Sequence, residues 1–236
     1  MKAVILAGGY GKRLKPLTDE KPKPMIEVLD KPIIEWQIRW LKNNGIDDVI
    51  ICVGYMKDHI INYIGSGSKF AVKVGYTVED EPLGTGGALK NAEALLSSEE
   101  SFLMLNGDVL TNIVASNLKK HLTNDLVATL AVVPLPSPFG IVEIDDNSKV
   151  LGFKEKPTIN QFWINAGVYC FSKKIFDHLP EKGNIETTAL PVLAKNKKLK
   201  AIKYENTFWR SIDSHKDIEE AASELGPLSK KTTLTK

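Results

Sequence analysis

The chain reads as an α/β protein built on a mainly parallel sheet with helices on both faces. Three observations carry that reading. Short apolar runs rich in Val and Ile alternate with stretches of helical periodicity through residues 1–110. Those runs are apolar throughout rather than alternating, as strands covered on both faces must be. The first of them, Lys2 to Leu6, runs straight into Ala7-Gly8-Gly9-Tyr10-Gly11, a turn whose glycines let backbone come close to a ligand.

The elements follow in order. Pro32 to Asn44 carries apolar residues at Ile33, Ile34, Trp36, Ile38, Trp40 and Leu41, and Pro32 and Gly45 frame it as a helix. Asp48 to Tyr55 is a buried strand, Lys57 to Ile64 a short helix and Val72 to Thr77 a third strand. Thr85 to Leu96 is a helix with a glycine-rich start, and Ser101 to Leu105 is a fourth strand ending at Asn106-Gly107-Asp108. The second half changes character. Residues 126–134, 140–144, 150–155 and 163–171 read as strands joined by turns, with Asp145-Asp146-Asn147 as a hairpin tip. A helix-like stretch at 174–178, a helix at 187–196, a strand at 198–204 and a helix at 216–225 complete the chain. With no repeat or linker between the halves, they are expected to share one sheet. A single domain is expected over 1–228, with halves at 1–110 and 111–228 and a flexible tail at 229–236.

Composition narrows the function. The chain has 236 residues, 43% hydrophobic and 25% charged, and its net charge is only +2. No global basic field favours a nucleic acid or membrane partner. No apolar run approaches the roughly eighteen residues of a membrane span, and Met1-Lys2 leads directly into a core strand, so a cytoplasmic protein is expected. Cys52 and Cys170 lie in apolar runs and read as buried thiols. His59, His121, His178 and His215 show no metal-ligand spacing, and Trp36 and Trp40 read as core or interface.

Positive charge is concentrated instead at Lys12, Arg13, Lys15, Lys21 and Lys23, just after the glycine turn. Successive N–H groups in such a turn make an anion-binding concavity, so backbone donors and fixed cations point to a polyphosphate. Two common phosphate motifs do not fit. A Walker loop needs Ser or Thr where Arg13 stands, and a dinucleotide fingerprint needs glycine where Leu14 stands. Taken alone, the glycines also fit an ordinary strand-to-loop corner. Asp108, at the carboxyl end of a strand beside this loop, suits a magnesium ligand, because Mg2+ takes one or two carboxylates plus substrate phosphates. An Asp that merely turns the chain is the alternative there.

The phrase LAGGYGKRLKPLT followed by KPKPM resembles the signature of the sugar-1-phosphate nucleotidyltransferases. The resemblance implies the nucleotide-diphospho-sugar transferase fold, a Rossmann-like mixed sheet. It also implies that Leu6, Ala7, Gly8, Gly9, Gly11 and Lys12 wrap the nucleotide, that Arg13 holds its triphosphate and that Lys23 faces the phosphates. Asp108 matches the metal motif. The second metal ligand falls on Asp213 in Phe208-Trp209-Arg210-Ser211-Ile212-Asp213, although the usual W-x-D spacing is not kept and Asp217 is the other acidic option.

Glu79-Asp80-Glu81-Pro82-Leu83-Gly84-Thr85 resembles the base-recognition loop, so Glu79, Gly84 and Thr85 join the nucleotide set. Relatives that use uridine or thymidine nucleotides commonly have Gln where Glu79 stands. Guanine presents two adjacent donors, and an ionised carboxylate accepts both. That leans toward mannose-1-phosphate guanylyltransferases. Pro138-Phe139-Gly140, Glu155-Lys156-Pro157 and Asn165-Ala166-Gly167 match the sugar-phosphate motifs, which assigns Gly140, Glu155, Lys156 and Asn165 to the sugar 1-phosphate. The expected enzyme takes a nucleoside triphosphate and a sugar 1-phosphate with Mg2+ and releases pyrophosphate, with GTP and mannose 1-phosphate as the leading pair. The alternatives are a glucose-1-phosphate uridylyl-, thymidylyl- or cytidylyltransferase, or a non-catalytic regulatory subunit that binds a sugar nucleotide. A homodimer is one option for assembly.

Overall fold

Strand β1 (Ala3–Ala7) lies between two parallel neighbours, so all its edge groups are paired. A computed structural model describes the backbone of residues 1–232 and the side chains of residues 1–227. After β1 the chain makes three single turns of 3-10 helix at Lys12–Leu14, Leu17–Asp19 and Lys23–Met25. A small hairpin, β2 (Glu27–Val28) with β3 (Lys31–Pro32), leads into helix α1 (Ile33–Asn43). Next come β4 (Asp48–Val53), α2 (Lys57–Ile64) and β5 (Lys73–Val78). The stretch expected as one helix at 85–96 is two, α3 (Gly84–Asn91) and α4 (Glu93–Leu96), separated at Ala92. Then follow β6 (Ser101–Asn106), β7 (Val109–Thr111) and α5 (Ala115–Lys120).

The second half begins with β8 (Ala128–Pro136), the hairpin β9 (Ile141–Ile144) and β10 (Val150–Lys154), and the long β11 (Thr158–Ser172). It ends with α6 (Ala189–Lys195), β12 (Leu199–Lys203), β13 (Trp209–Ser211) and α7 (His215–Thr232). Helix α7 extends past the expected end at 225 and takes in the first part of the expected tail at 229–236. Residues 233–236 lie outside the described residues.

Among the described residues, seven strands form the main sheet in the order β12-β8-β11-β6-β1-β4-β5. Strands β1, β4, β5 and β6 run parallel, and β8 and β12 are parallel to each other. Strand β11 is antiparallel to both β6 and β8, so it alone runs against the rest. The sheet is therefore mixed and mainly parallel, as expected. It gathers the carboxyl ends of its parallel strands on one edge, where open sheets take their ligands.

Both halves contribute strands to this sheet, β1, β4, β5 and β6 from the first and β8, β11 and β12 from the second. Strands β9 and β10 form a separate two-stranded hairpin, and all of their residues but one are exposed. The expected strand 163–171 is also longer, because β11 starts at Thr158. Irregularities between Ile159 and Trp163 and between Asn165 and Tyr169 let it bend while staying paired with β8.

The core lies on both faces of the sheet. Ile5, Ile51, Leu103 and Leu105 face one layer with Ile34, Ile38 and Leu41 of α1. Val4, Ile50, Cys52, Phe102 and Met104 face the other with Ala88, Leu89, Leu96 and Leu193. This two-residue alternation within runs that look uniformly apolar explains why Cys52 and Cys170 are wholly buried. Burial pushes both thiols up to about 12, so neither is a nucleophile at neutral pH. A third cluster joins Leu14, Ile26 and Val28 to Leu110, Ile212 and Ala221. It packs the segment after the glycine turn against α7.

Candidate active site

The turn after β1 is shaped by what approaches it. A Cβ on Gly8 would stand 2.6 Å from Glu79 Oε1, so a larger residue there would push that carboxylate from its present position. Tyr55 N donates to Gly8 O at 3.3 Å, and the Tyr55 ring packs on Tyr10 with centroids 4.9 Å apart. The loop then tightens into the first 3-10 turn, with Leu14 N donating to Gly11 O at 2.9 Å. Leu14 is buried while Lys12 and Arg13 project outward.

Two acidic residues meet one lysine beside this loop. Lys23 Nζ lies 2.6 Å from Asp108 Oδ2 and 2.8 Å from Asp213 Oδ1. Arg13 Nη2 lies 2.8 Å from the same Asp213 oxygen. Lys23 is only 13% exposed, so its charge is poorly hydrated and depends on the two carboxylates. Burial alone would raise the Asp213 pKa. The Lys23 hydrogen bond and the charges of Lys23 and Arg13 override it and hold the carboxyl below its usual range.

A ribbon the sequence did not announce brings the pair together. Strand β13 pairs antiparallel with β7, Ser211 opposite Val109, and Ile212 N donates to Asp108 O at 2.9 Å. Asp217 serves elsewhere. Its Oδ2 accepts N–H bonds from Asp213 and Ser214 at 3.0 and 2.7 Å, and the Ser214 hydroxyl at 2.8 Å. Asp217 N donates back to Ser214 Oγ at 3.3 Å, a reciprocal cap at the start of α7. Arg210 then ties β13 to α7 through Glu220 and Glu224.

A cleft of about 310 Å3 opens at the same sheet edge. Leu6, Ala7, Gly8, Gly9, Lys23, Glu79, Gly84, Thr85 and Asp108 line it, all residues expected at the site. Burial raises the Glu79 pKa, partly opposed by a hydrogen bond of 2.9 Å from Leu83 N to its Oε2. The Thr85 hydroxyl is already engaged, donating to Glu186 Oε2 at 2.6 Å and accepting from Ile185 N at 2.9 Å. It therefore joins the cleft wall to the segment before α6.

Tyr10, Pro82, Asn106 and Asn184 also line the cleft and were not anticipated. Tyr10 stands inside the loop phrase and could have been read with it. Asn106 Oδ1 is buried with no hydrogen-bond partner among the described residues, an acceptor at the cleft wall. Asn184 comes from a distant loop, and nothing in its neighbourhood signals the contact.

The expected sugar-phosphate residues stand apart from this cleft. Glu155 and Lys156 follow the exposed hairpin, pair with each other at 3.5 Å and are half exposed. Gly140 lies against the Glu155 and Phe153 side chains. Asn165 Oδ1 accepts from Gly167 N at 3.1 Å, and its Nδ2 donates to the Tyr169 hydroxyl at 2.5 Å. Around them Phe139, Phe153 and Phe162 are 75%, 65% and 61% exposed, so the structure does not gather these four residues into a closed pocket.

Comparison with known proteins adds an independent line. Residues 2–226 match the model of the Nucleotidyl transferase family. The mannose-1-phosphate guanylyltransferase catalytic subunit beta of Dictyostelium discoideum is 36% identical over 227 residues, covering 92% of this chain and 62% of that protein. The UTP--glucose-1-phosphate uridylyltransferase of Synechocystis sp. is 33% identical over 198 residues, covering 76% of this chain and 51% of that protein. The chain thus spans between about half and two thirds of the length of these relatives. Among solved structures, HddC from Yersinia pseudotuberculosis aligns with a TM-score of 0.75 at 29% identity, covering 95% of this chain and 99% of that one. That protein has also been solved complexed with GMP-PN.

Proposed function

The chain belongs to the nucleotidyl transferase family, and on that premise we propose that it joins a sugar 1-phosphate to a nucleoside triphosphate, with GTP and mannose 1-phosphate as the leading substrates. The observation that carries this reading is the convergence of Asp108, Asp213, Lys23 and Arg13 beside the glycine loop. A sugar 1-phosphate is its own nucleophile. Its second pKa is about 6, as for phosphoamino acids, so it is mostly dianionic at neutral pH and needs no general base. The buried Cys thiols are inert. What the reaction needs is alignment of two anions and neutralisation of charge.

The same residues would carry each step. One phosphate oxygen of the sugar 1-phosphate attacks the α-phosphorus of the nucleotide. The bond between that phosphorus and the α–β bridging oxygen breaks, and pyrophosphate leaves with the electron pair. Arg13 and the N–H groups of the glycine loop hold the growing charge on the leaving group. Lys23 moves its charge to the nucleotide phosphates once they arrive.

The donor set suits magnesium. Asp108 and Asp213 offer hard oxygen donors already focused on a single cationic group, Lys23 Nζ. Two carboxylates supplemented by substrate phosphates are a common magnesium arrangement. Bound there, the ion would supply charge neutralisation at the α-phosphate.

Glu79 supports guanine. It lines the cleft at the loop and keeps one oxygen, Oε1, out of the Leu83 hydrogen bond. Glu155, Lys156, Gly140 and Asn165 are proposed to take the sugar phosphate. Likeness to the Synechocystis protein favours a uridylyltransferase as the second reading; Glu79 in place of an amide weighs against it. No helix among the described residues is long and apolar enough to cross a membrane. Incubation with GTP, mannose 1-phosphate and Mg2+, followed by phosphorus NMR, tests the proposal. The expected signals are GDP-mannose and pyrophosphate in equal amounts. Hydrolysis of GTP alone, or no product with any nucleotide and sugar 1-phosphate, would overturn it.

A further inference from the structure

We propose that Gln37 is a positioning residue that clamps the turn carrying Asp108. Gln37 lies on α1 and is 1% exposed, one of few polar side chains in the core. Its Nε2 donates to Asn106 O at 2.8 Å and to Val109 O at 2.9 Å. Those two carbonyls flank Gly107-Asp108, so one amide group spans the corner from beneath and fixes the separation of its ends.

The rest of the corner is tied from other directions. Gly107 N donates to Leu6 O at 2.9 Å. A Cβ on Gly107 would collide with that same carbonyl oxygen, so the corner presses directly on β1. Asp108 O accepts from Ile212 N on the Asp213 side. Gln37 takes the carbonyls on either side of these ties, Asn106 O and Val109 O.

The same side chain carries a cost that points to this role. Gln37 Oε1 is buried with no hydrogen-bond partner among the described residues. An apolar residue of similar length would fill the space with no unpaired acceptor, so packing alone does not favour glutamine here. What the amide adds is the pair of donors at the Asp108 corner. A carboxylate that must meet a phosphate-bound cation gains from a fixed backbone, since small displacements of a reacting group are costly in rate.

The inference rests on the reading of Asp108 as a catalytic group. The test compares the wild-type chain with Gln37→Met, which keeps length and removes both donors. Amide hydrogen exchange over residues 103–112, thermal stability, and kcat and KM for the nucleotide are measured together. The clamp predicts faster exchange at the corner and a kcat lowered on the order of tenfold or more. The nucleotide KM should change by less than about threefold, because the loop and Glu79 are untouched. Unchanged exchange and kcat would overturn the proposal, as would a loss of activity that merely tracks loss of folded protein. Gln37→Leu is read in the same way, and if neither variant folds, Gln37 is a structural residue and the proposal fails. A wild-type chain that releases no pyrophosphate from any nucleotide would sink the functional reading instead, while the exchange data would still decide whether Gln37 clamps the corner.

Discussion

The cleft edge and the β9–β10 hairpin come from one chain and are built in opposite ways. At the cleft, charged side chains are held by partners. Lys23 bridges two carboxylates, Glu79 is fixed by Leu83 N, and Asp217 caps the helix behind them. At the hairpin, Ile144, Val150, Leu151 and Phe153 are all more than half exposed, and Lys156 pairs with its neighbour Glu155. In the first region the charged groups are already held by protein partners; in the second they lie on the surface. Under the proposed function, the nucleotide would meet a preformed site and the sugar phosphate would complete its own.

Substitutions at the assembled side should then have the larger effects. Asp108→Asn removes a charge that the proposed mechanism uses directly, worth several kcal/mol of stabilisation. Turnover should fall by on the order of a hundredfold or more, with circular dichroism unchanged. A variant that kept more than about a tenth of the wild-type rate would place Asp108 outside the chemistry.

Arg13→Ala comes next. The side chain is 77% exposed and pairs with Asp213, so it is free to swing to a phosphate. Because the charge on departing pyrophosphate grows in the transition state, kcat should fall roughly ten- to hundredfold. A change confined to the nucleotide KM would make Arg13 a ground-state anchor only.

Glu79→Gln acts on choice rather than speed. One mismatched buried contact costs about 1–3 kcal/mol, so the kcat/KM ratio of GTP over UTP should drop roughly ten- to hundredfold. Acidification should do the same to the wild type. Burial raises the Glu79 pKa, so the carboxylate protonates above the ordinary range of roughly pH 4 to 5. As pH falls, loss of the sugar phosphate dianion slows turnover with every nucleotide alike, so the informative quantity is the kcat/KM ratio of GTP over UTP. That ratio should fall with pH in the wild type and stay level in Glu79→Gln. A wild-type ratio that does not change with pH would show that Glu79 does not read the base.

The smallest effect is expected on the open side. Lys156 is about half exposed, and an exposed charge contact is worth about 1 kcal/mol or less. Lys156→Ala should raise the KM for the sugar phosphate roughly fivefold or less and leave nucleotide affinity alone. A collapse of kcat instead would mean that the hairpin closes over the reacting phosphates.

The same contrast governs what the sequence disclosed. Strands β1, β4 and β6 were legible because continuous Val, Ile and Leu runs admit few other readings. The turn at 145–147 was legible because Asp145 Oδ1 caps it, accepting from Asn147 N and Lys149 N. Strands β2, β3, β7 and β13, of two or three residues each, carry no period to detect. Yet β7 and β13 are what bring Asp213 to Asp108. Lys23, Glu79, Asp108 and Asp213 could be named from motif phrases. Gln37, Asn106 and Asn184 could not, because their contacts exist only once α1, β6 and the segment before α6 have come together.

Isothermal titration of the full chain in the presence of Mg2+ separates a nucleotide site that is complete in the free protein from a sugar-phosphate site that is not. GTP should bind the free protein with measurable heat, and mannose 1-phosphate should bind only after a non-hydrolysable GTP analogue is in place. Mannose 1-phosphate binding the free protein as tightly as it binds the nucleotide complex would show that both sites are already formed.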